Sequence, residues 1–276
     1  MQLETMEEFR QYLTREERSA GTVKKYLRDV RVFLDQLGDR ELTKGALVLW
    51  KEQLVAQGYR PATVNAMIAS VNAWLRFLGR EDCRVKGLRL QRRAFCSMDR
   101  ELTAGEFRHL VETARAERQE RLALLLETMG GTGIRVSEVR YITVEAARCG
   151  RAEISLKGKI RTVLLPGKLC RRLLRYAEKN KIASGEIFLT RSGKGMDRRQ
   201  IWAQMKQLCG RAGIRAEKVF PHNLRHLFAR SFYQACKDVV QLADVLGHSS
   251  METTRLYLIS TGAEHARRLE QLRLIC

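Results

Sequence analysis

Four separated segments hold the residue types that could carry chemistry. In chain order they are Thr132-Gly133-Ile134-Arg135-Val136-Ser137-Glu138, then Leu156-Lys157-Gly158-Lys159, then Pro221-His222-Asn223-Leu224-Arg225-His226. The last is Leu246-Gly247-His248, with Tyr257 nine residues after the histidine. Together they supply two arginines, two or three histidines, a lysine and a tyrosine. Guanidinium forks match phosphate oxygens. Histidines titrate near neutrality and can shuttle protons. A tyrosine with an ordinary pKa of about 10 is a weak nucleophile and needs activation. No carboxylate cluster of the kind that holds Mg²⁺ accompanies these residues. The inventory suits phosphoryl transfer in which fixed cations stabilise the developing charge, without metal or other cofactor.

These residues need a scaffold, and the hydrophobic periodicity predicts one that is mainly α. Residues 1–79 read as four helices. The first spans about 6–18 behind a Thr5–Glu8 capping box, and Ser19-Ala20-Gly21-Thr22 breaks the chain after it. The second carries Val23, Tyr26, Leu27, Val30, Phe33, Leu34 and Leu37 at helical spacing. Thr43 starts the third and Gly58 ends it. Pro61 opens the fourth, which places Val64, Met67, Ile68, Val71, Trp74, Leu75 and Leu78 on one face. Residues 80–102 are crowded with cations and lack a sustained period, so they read as a basic interdomain linker. A second capping box, Thr103 with Glu106, opens a domain over 103–276. Its helices are expected at about 104–117, 120–129, 136–141, 167–180, 197–212, 222–235, 239–246, 251–258 and 263–275. Gly130-Gly131-Thr132-Gly133 marks a turn, and 152–165 alternate as a β-hairpin around Lys157-Gly158.

Composition points to the partner. The 276 residues carry 51 Lys and Arg against 31 Asp and Glu, a formal net charge of +20. Such an excess favours a polyanion, with nucleic acid first and an anionic membrane surface second. No apolar run is long enough to span a bilayer, and Met1-Gln2-Leu3-Glu4 does not begin a signal peptide. The seven cysteines are odd in number and scattered. They argue against a disulfide framework or a zinc site and fit a reducing cytoplasm. On the second helix Lys24, Lys25, Arg28 and Arg31 form a basic face, and on the fourth Asn65, Ala69, Asn72 and Arg76 form a small polar one. Either face is ordinary solvated surface or a DNA contact.

The four motifs, in this order, resemble the signature of the tyrosine recombinases, or phage integrases, and among them the small Xer-like members. The resemblance extends over nearly the whole chain. It implies a helical, SAM-like core-binding domain followed by an α-rich catalytic domain with a small β-hairpin. It implies a site-specific recombinase that cuts and rejoins DNA through a 3′-phosphotyrosyl intermediate, without ATP. Tyr257 would attack the scissile phosphate, while Arg135 and Arg225 hold its non-bridging oxygens. Lys157 would protonate the departing 5′-oxygen. His222 would assist proton transfer, His248 would hydrogen-bond the phosphate, and Glu138 would buttress the site. His226 reads as structural. The family hairpin usually runs Lys-Gly-Asn-Lys-x-Arg, whereas Lys157-Gly158-Lys159-Ile160-Arg161 is one residue shorter, so Lys159 rivals Lys157.

By the same resemblance Lys24, Lys25, Arg28, Arg31, Asn65 and Asn72 would meet the major groove, where asparagine can read adenine bidentately. The linker residues Arg89, Arg92 and Arg93 would meet phosphates. The core-binding helices begin within the first few residues, so the arm-site domain of larger integrases is not expected. The expected partners are duplex DNA bearing specific sites and three further copies of the chain on paired sites, the free protein being a monomer or weak dimer. An accessory protein is a further candidate. The amphipathic stretch 263–276 would dock on a neighbouring copy or pack on its own domain. Two other functions compete: a non-catalytic architectural DNA-binding protein, and a type IB topoisomerase-like enzyme that relaxes DNA alone.

Overall fold

A computed structural model describes residues 2–89, 101–156, 159–247 and 253–254. The chain forms two compact units, Met1–Arg92 and Arg93–Cys276. The first holds four helices: α1 (Gln2–Arg15), α2 (Ala20–Leu37), α3 (Lys44–Ala56) and α4 (Pro61–Phe77). Helix α1 starts before the expected capping box, because Gln2, Leu3 and Glu4 are themselves good helix formers. The segment expected to break the chain instead starts α2: the Thr22 N–H donates to the Ser19 hydroxyl at 3.3 Å. Thr43 caps α3 in the same manner, and Pro61 occupies the first turn of α4. The apolar stripes close on one core around Phe9, Val30, Phe33, Trp50, Val64 and Trp74.

The chain beyond α4 does not leave this unit at once. A short 3-10 turn covers Glu81–Cys83, and the extended residues after it lie along α4. There Asn72 accepts from the Val85 N–H at 3.2 Å and donates to the Val85 carbonyl at 2.8 Å. Asn65 accepts from Leu88 at 2.6 Å and donates back at 2.9 Å. Each amide thus stands in for a neighbouring strand. The spacing fits: seven helical residues rise about 10.5 Å and three extended residues about 10 Å. Gly87 allows the approach, since a Cβ there would lie 2.9 Å from Asn65 Oδ1. Part of the segment expected to be a linker is therefore fastened to the first unit.

The second unit contains α5 (Ala104–Ala116), α6 (Glu120–Thr132), α7 (Val144–Cys149), α8 (Gly167–Lys179), α9 (Arg198–Arg211), α10 (Pro221–Cys236) and α11 (Val239–Leu246). Two strands, β1 (Arg151–Leu156) and β2 (Lys159–Leu164), pair antiparallel with Ile154 opposite Arg161. Thr103 and Glu106 make the expected reciprocal cap on α5. Helix α6 runs through Gly130-Gly131 to Thr132, three residues past its expected end. Packing overrides propensity there: a Cβ on Gly130 would sit 2.5 Å from the Phe107 ring of α5. The turn falls on Gly133, at φ 64°. The short helix expected at 136–141 is a 3-10 turn, and α7 was not anticipated. Of the expected helix over 251–258, only Thr253 and Thr254 are described, and both are helical. The stretch 263–276 lies outside the described residues. Among the described residues, no helix is long and apolar enough to cross a membrane.

The asparagine clasp makes a measurable contribution. Asn72→Ala leaves the Val85 main chain without its partners, which costs about 1–3 kcal/mol. Urea unfolding of the full chain is expected to show the first unit losing stability by that amount. A midpoint unchanged from wild type would contradict the clasp.

Candidate active site

Three of the expected catalytic residues line one open cleft of about 430 Å³: Arg135, His222 and Arg225. Two helix ends and a turn deliver them. Gly133 ends α6 in the left-handed conformation and releases the chain into the 3-10 turn Val136–Tyr141, with Arg135 just ahead of it. A side chain at 133 would also strike the Phe228 ring, 2.4 Å away, so close packing of α10 adds to the demand for glycine. Pro221 begins α10, and His222, Arg225 and His226 follow at three- and four-residue spacing on one helical face.

Arg225 is 1% exposed. Its Nη1 donates to the Gly133 carbonyl at 2.5 Å, and its Nη2 to the Leu246 carbonyl at 2.7 Å. It therefore binds the end of α6 to the end of α11 while also lining the cleft.

Arg135 is more open, with 43% of its side chain exposed. Glu138, itself 3% exposed, holds it from two directions. The carboxylate accepts from the Arg135 main-chain N–H at 2.7 Å and from Arg135 Nη1 at 2.9 Å. It also accepts from Arg161 Nη2 at 2.5 Å. Burial works against ionisation of Glu138, but the Arg135 N–H and the two guanidinium groups outweigh it and keep the carboxyl pKa below its ordinary value.

His222 keeps an exposed edge, yet crowding by the cleft walls, followed by the charges of Arg225 and Arg135, lowers its pKa. His226 meets it edge-on, with ring centroids 4.8 Å apart. Desolvation, then His222 and Arg225, bring His226 down to about 4. Both imidazoles are thus neutral at pH 7, and a neutral ring can accept a proton.

The remaining sequence-identified residues divide clearly. Lys157, His248 and Tyr257 lie outside the described residues, as do Arg92 and Arg93. Lys159 opens β2. Gly247, at φ 62°, caps α11 and leads directly into His248. In the first unit Lys24, Arg31 and Arg89 are exposed. Lys25 is turned inward: its ammonium donates to Asp29, the Ala66 carbonyl and Ser70, at 2.6, 3.0 and 3.1 Å. Arg28 is exposed but pairs with the buried Asp29 at 2.8 Å. Asn65 and Asn72 engage main chain with the same amide edge that would read adenine. The expected polar reading face is therefore in large part an internal fastening.

Sequence reasoning missed one wall of the cleft. Arg198, Trp202 and Lys206 line it from α9, four residues apart, with the Lys206 ammonium 5.0 Å from the Trp202 ring centre. Their helical spacing was the available signal. Arg161 was noted only as a motif letter, and nothing in its strand position announced a bond to Glu138.

Comparison with known proteins accords with this arrangement. The model of the phage integrase family matches residues 100–264, and that of the phage integrase N-terminal SAM-like domain matches residues 6–82. The chain is 27% identical to tyrosine recombinase XerA of Pyrococcus furiosus, over 99% of this chain and 95% of the relative. A crystal structure of XerA recombinase superposes with a TM-score of 0.55 at 23% identity, covering 99% of each chain. The Tn1549 transposon integrase, in complex with transposon right end DNA, gives 0.73 at 14% identity, again over 99% of each.

The histidine pair sets a pH dependence. A histidine whose pKa falls on folding leaves the unfolded chain holding more protons, so stability declines as pH drops from about 6.5 toward 4 and is flat above. His226→Gln is expected to lessen the fall of the urea midpoint between pH 6.5 and 5.5, a window above most carboxylate titration, leaving the smaller part due to His222. A slope equal to wild type in that window would contradict a half-buried, neutral His226.

Proposed function

The chain belongs to the phage integrase family and is a site-specific tyrosine recombinase; from that premise we propose the residue roles by which it cuts and rejoins DNA. The observation that carries the assignment is the convergence on one cleft of Arg135 from one expected motif with His222 and Arg225 from another, about 90 residues later in the chain. Two fixed guanidinium groups suit the two non-bridging oxygens of a phosphodiester. The partner is duplex DNA, and the excess of 20 positive charges suits it.

In the cleavage step the Tyr257 phenol oxygen bonds to phosphorus as the bond from phosphorus to the 5′-oxygen breaks. His222, neutral beside the two arginines, accepts the phenol proton. Lys157 delivers a proton to the leaving 5′-oxygen, with Lys159 as its rival in the shortened hairpin. His248 donates a hydrogen bond to the phosphate. The phosphotyrosyl ester keeps the energy of the broken bond, so a 5′-hydroxyl from a partner strand reverses the step without ATP. Four copies act on two paired sites, in the cytoplasm, with 263–276 reaching a neighbouring copy and an accessory protein as a further candidate partner.

This chemistry requires the phenol oxygen. On a nicked suicide duplex, wild type is expected to accumulate a covalent protein–DNA adduct visible on a denaturing gel. Tyr257→Phe is expected to form none while binding the same duplex with nearly unchanged affinity, because one oxygen contributes little binding surface. Adduct from Tyr257→Phe at the wild-type yield would overturn the assignment.

A further inference from the structure

We propose that Arg161 is a positioning residue for strand cleavage: by sharing the buried Glu138 carboxylate with Arg135, it leaves the phosphate site with net positive charge. The proposal rests on Arg135 being a phosphate ligand. Its basis is charge accounting around one buried carboxylate. Glu138 is 3% exposed and accepts bonds from both arginines. With Arg135 alone, one carboxylate and one guanidinium cancel, and the cleft loses half of its phosphate clamp. With Arg161 added, the group carries one net positive charge. Beside the buried Glu138 carboxylate that charge is screened less by solvent than it would be in water.

Arg161 is anchored well enough to play this part. It is itself 14% exposed, far less than Arg135. Its Nη1 donates to the Val245 carbonyl at 3.2 Å, so it also ties β2 to the last turn of α11. Its stem lies over Gly247: a Cβ there would meet Arg161 Cδ at 2.4 Å and Nη1 at 3.0 Å. Gly247 thus serves a second purpose beyond its φ of 62°, namely clearance for this arginine. Arg161 is held from two sides independently of Arg135, so Glu138 meets one fixed cation and one more exposed one. The exposed one, Arg135, keeps its charge for the cleft.

Single-turnover adduct formation on nicked duplexes tests this. One duplex carries the natural scissile phosphate, and the other a methylphosphonate, whose methyl group replaces a non-bridging oxygen and removes the negative charge. Arg161→Met is expected to slow cleavage of the phosphate about tenfold or more, by losing a positioned charge. Its deficit against wild type is expected to shrink markedly on the methylphosphonate. Arg161→Lys, which keeps the charge, is expected to recover much of the rate on phosphate. Should Arg161→Met lose its fold or its DNA binding, Arg161→Gln, which keeps an amide donor without charge, carries the same comparison. Equal deficits on both duplexes would overturn the proposal and reduce Arg161 to a strut. Arg135→Met run alongside separates the two levels. If it too is insensitive to the neutral substrate, the phosphate assignment of Arg135 falls, and this proposal with it. If Arg135→Met is relieved and the Arg161 variants are not, only the role of Arg161 falls.

Discussion

One buried guanidinium organises the second unit's functional end. Arg225 has almost no exposure, and a cation so placed is tolerable only if its donors are satisfied. The Gly133 and Leu246 carbonyls, both at helix ends with no intrahelical partner to lose, satisfy two of them. The same bonds fix where α6 stops and where α11 stops. Arg135 follows the first stop by two residues, and His248 follows the second by two. A residue at position 225 thereby sets the starting points of segments on either side of it in the chain, about 90 and 20 residues away. Assembly of the site and stability of the unit are on this account one interaction.

Charge is arranged around that centre in layers. Glu138 is the only buried carboxylate among the described residues of the second unit, and it sits between two arginines. It holds Arg135 by main chain and side chain together, which restricts a long side chain that would otherwise sample many rotamers. The two histidines are held below their ordinary pKa first by desolvation and then by Arg225, which acts on both, with Arg135 adding to the effect on His222. A site with guanidinium groups for charge and a neutral imidazole for proton transfer can handle a phosphodiester and a phenol at once. That division of labour follows from burial and proximity, not from the residue types alone.

The sequence made the helices and the catalytic cluster legible for physical reasons. Amphipathic stripes such as Val30, Phe33 and Leu37, or caps such as Thr103 with Glu106, depend on neighbours within a turn or two. Motif residues stood out by their types and by the resemblance of the four segments, in order, to the tyrosine recombinase signature. What escaped depends on distant chain. Lys25 looks like any exposed lysine until Asp29 and Ser70 are seen beneath it. Asn65 and Asn72 have the spacing of a reading face, and the extended chain at 85–88 claims them instead. Gly130 reads as a breaker, whereas the Phe107 ring makes it a packing site inside α6. Polar residues announce that they need partners but not which ones, and that is why Arg161 passed unnoticed.

The claim that this site makes a bond between tyrosine and a DNA phosphate is tested most directly by mapping that bond. Trapped adduct can be digested with nuclease and trypsin, and the nucleotide-bearing peptide sequenced by mass spectrometry. Trypsin should release Leu256–Arg267, in which Tyr257 is accompanied by Ser260 and Thr261 as rival hydroxyls. The account predicts a 3′-phosphoryl nucleotide on Tyr257. A nucleotide on Ser260, on Thr261 or on any other peptide would contradict it.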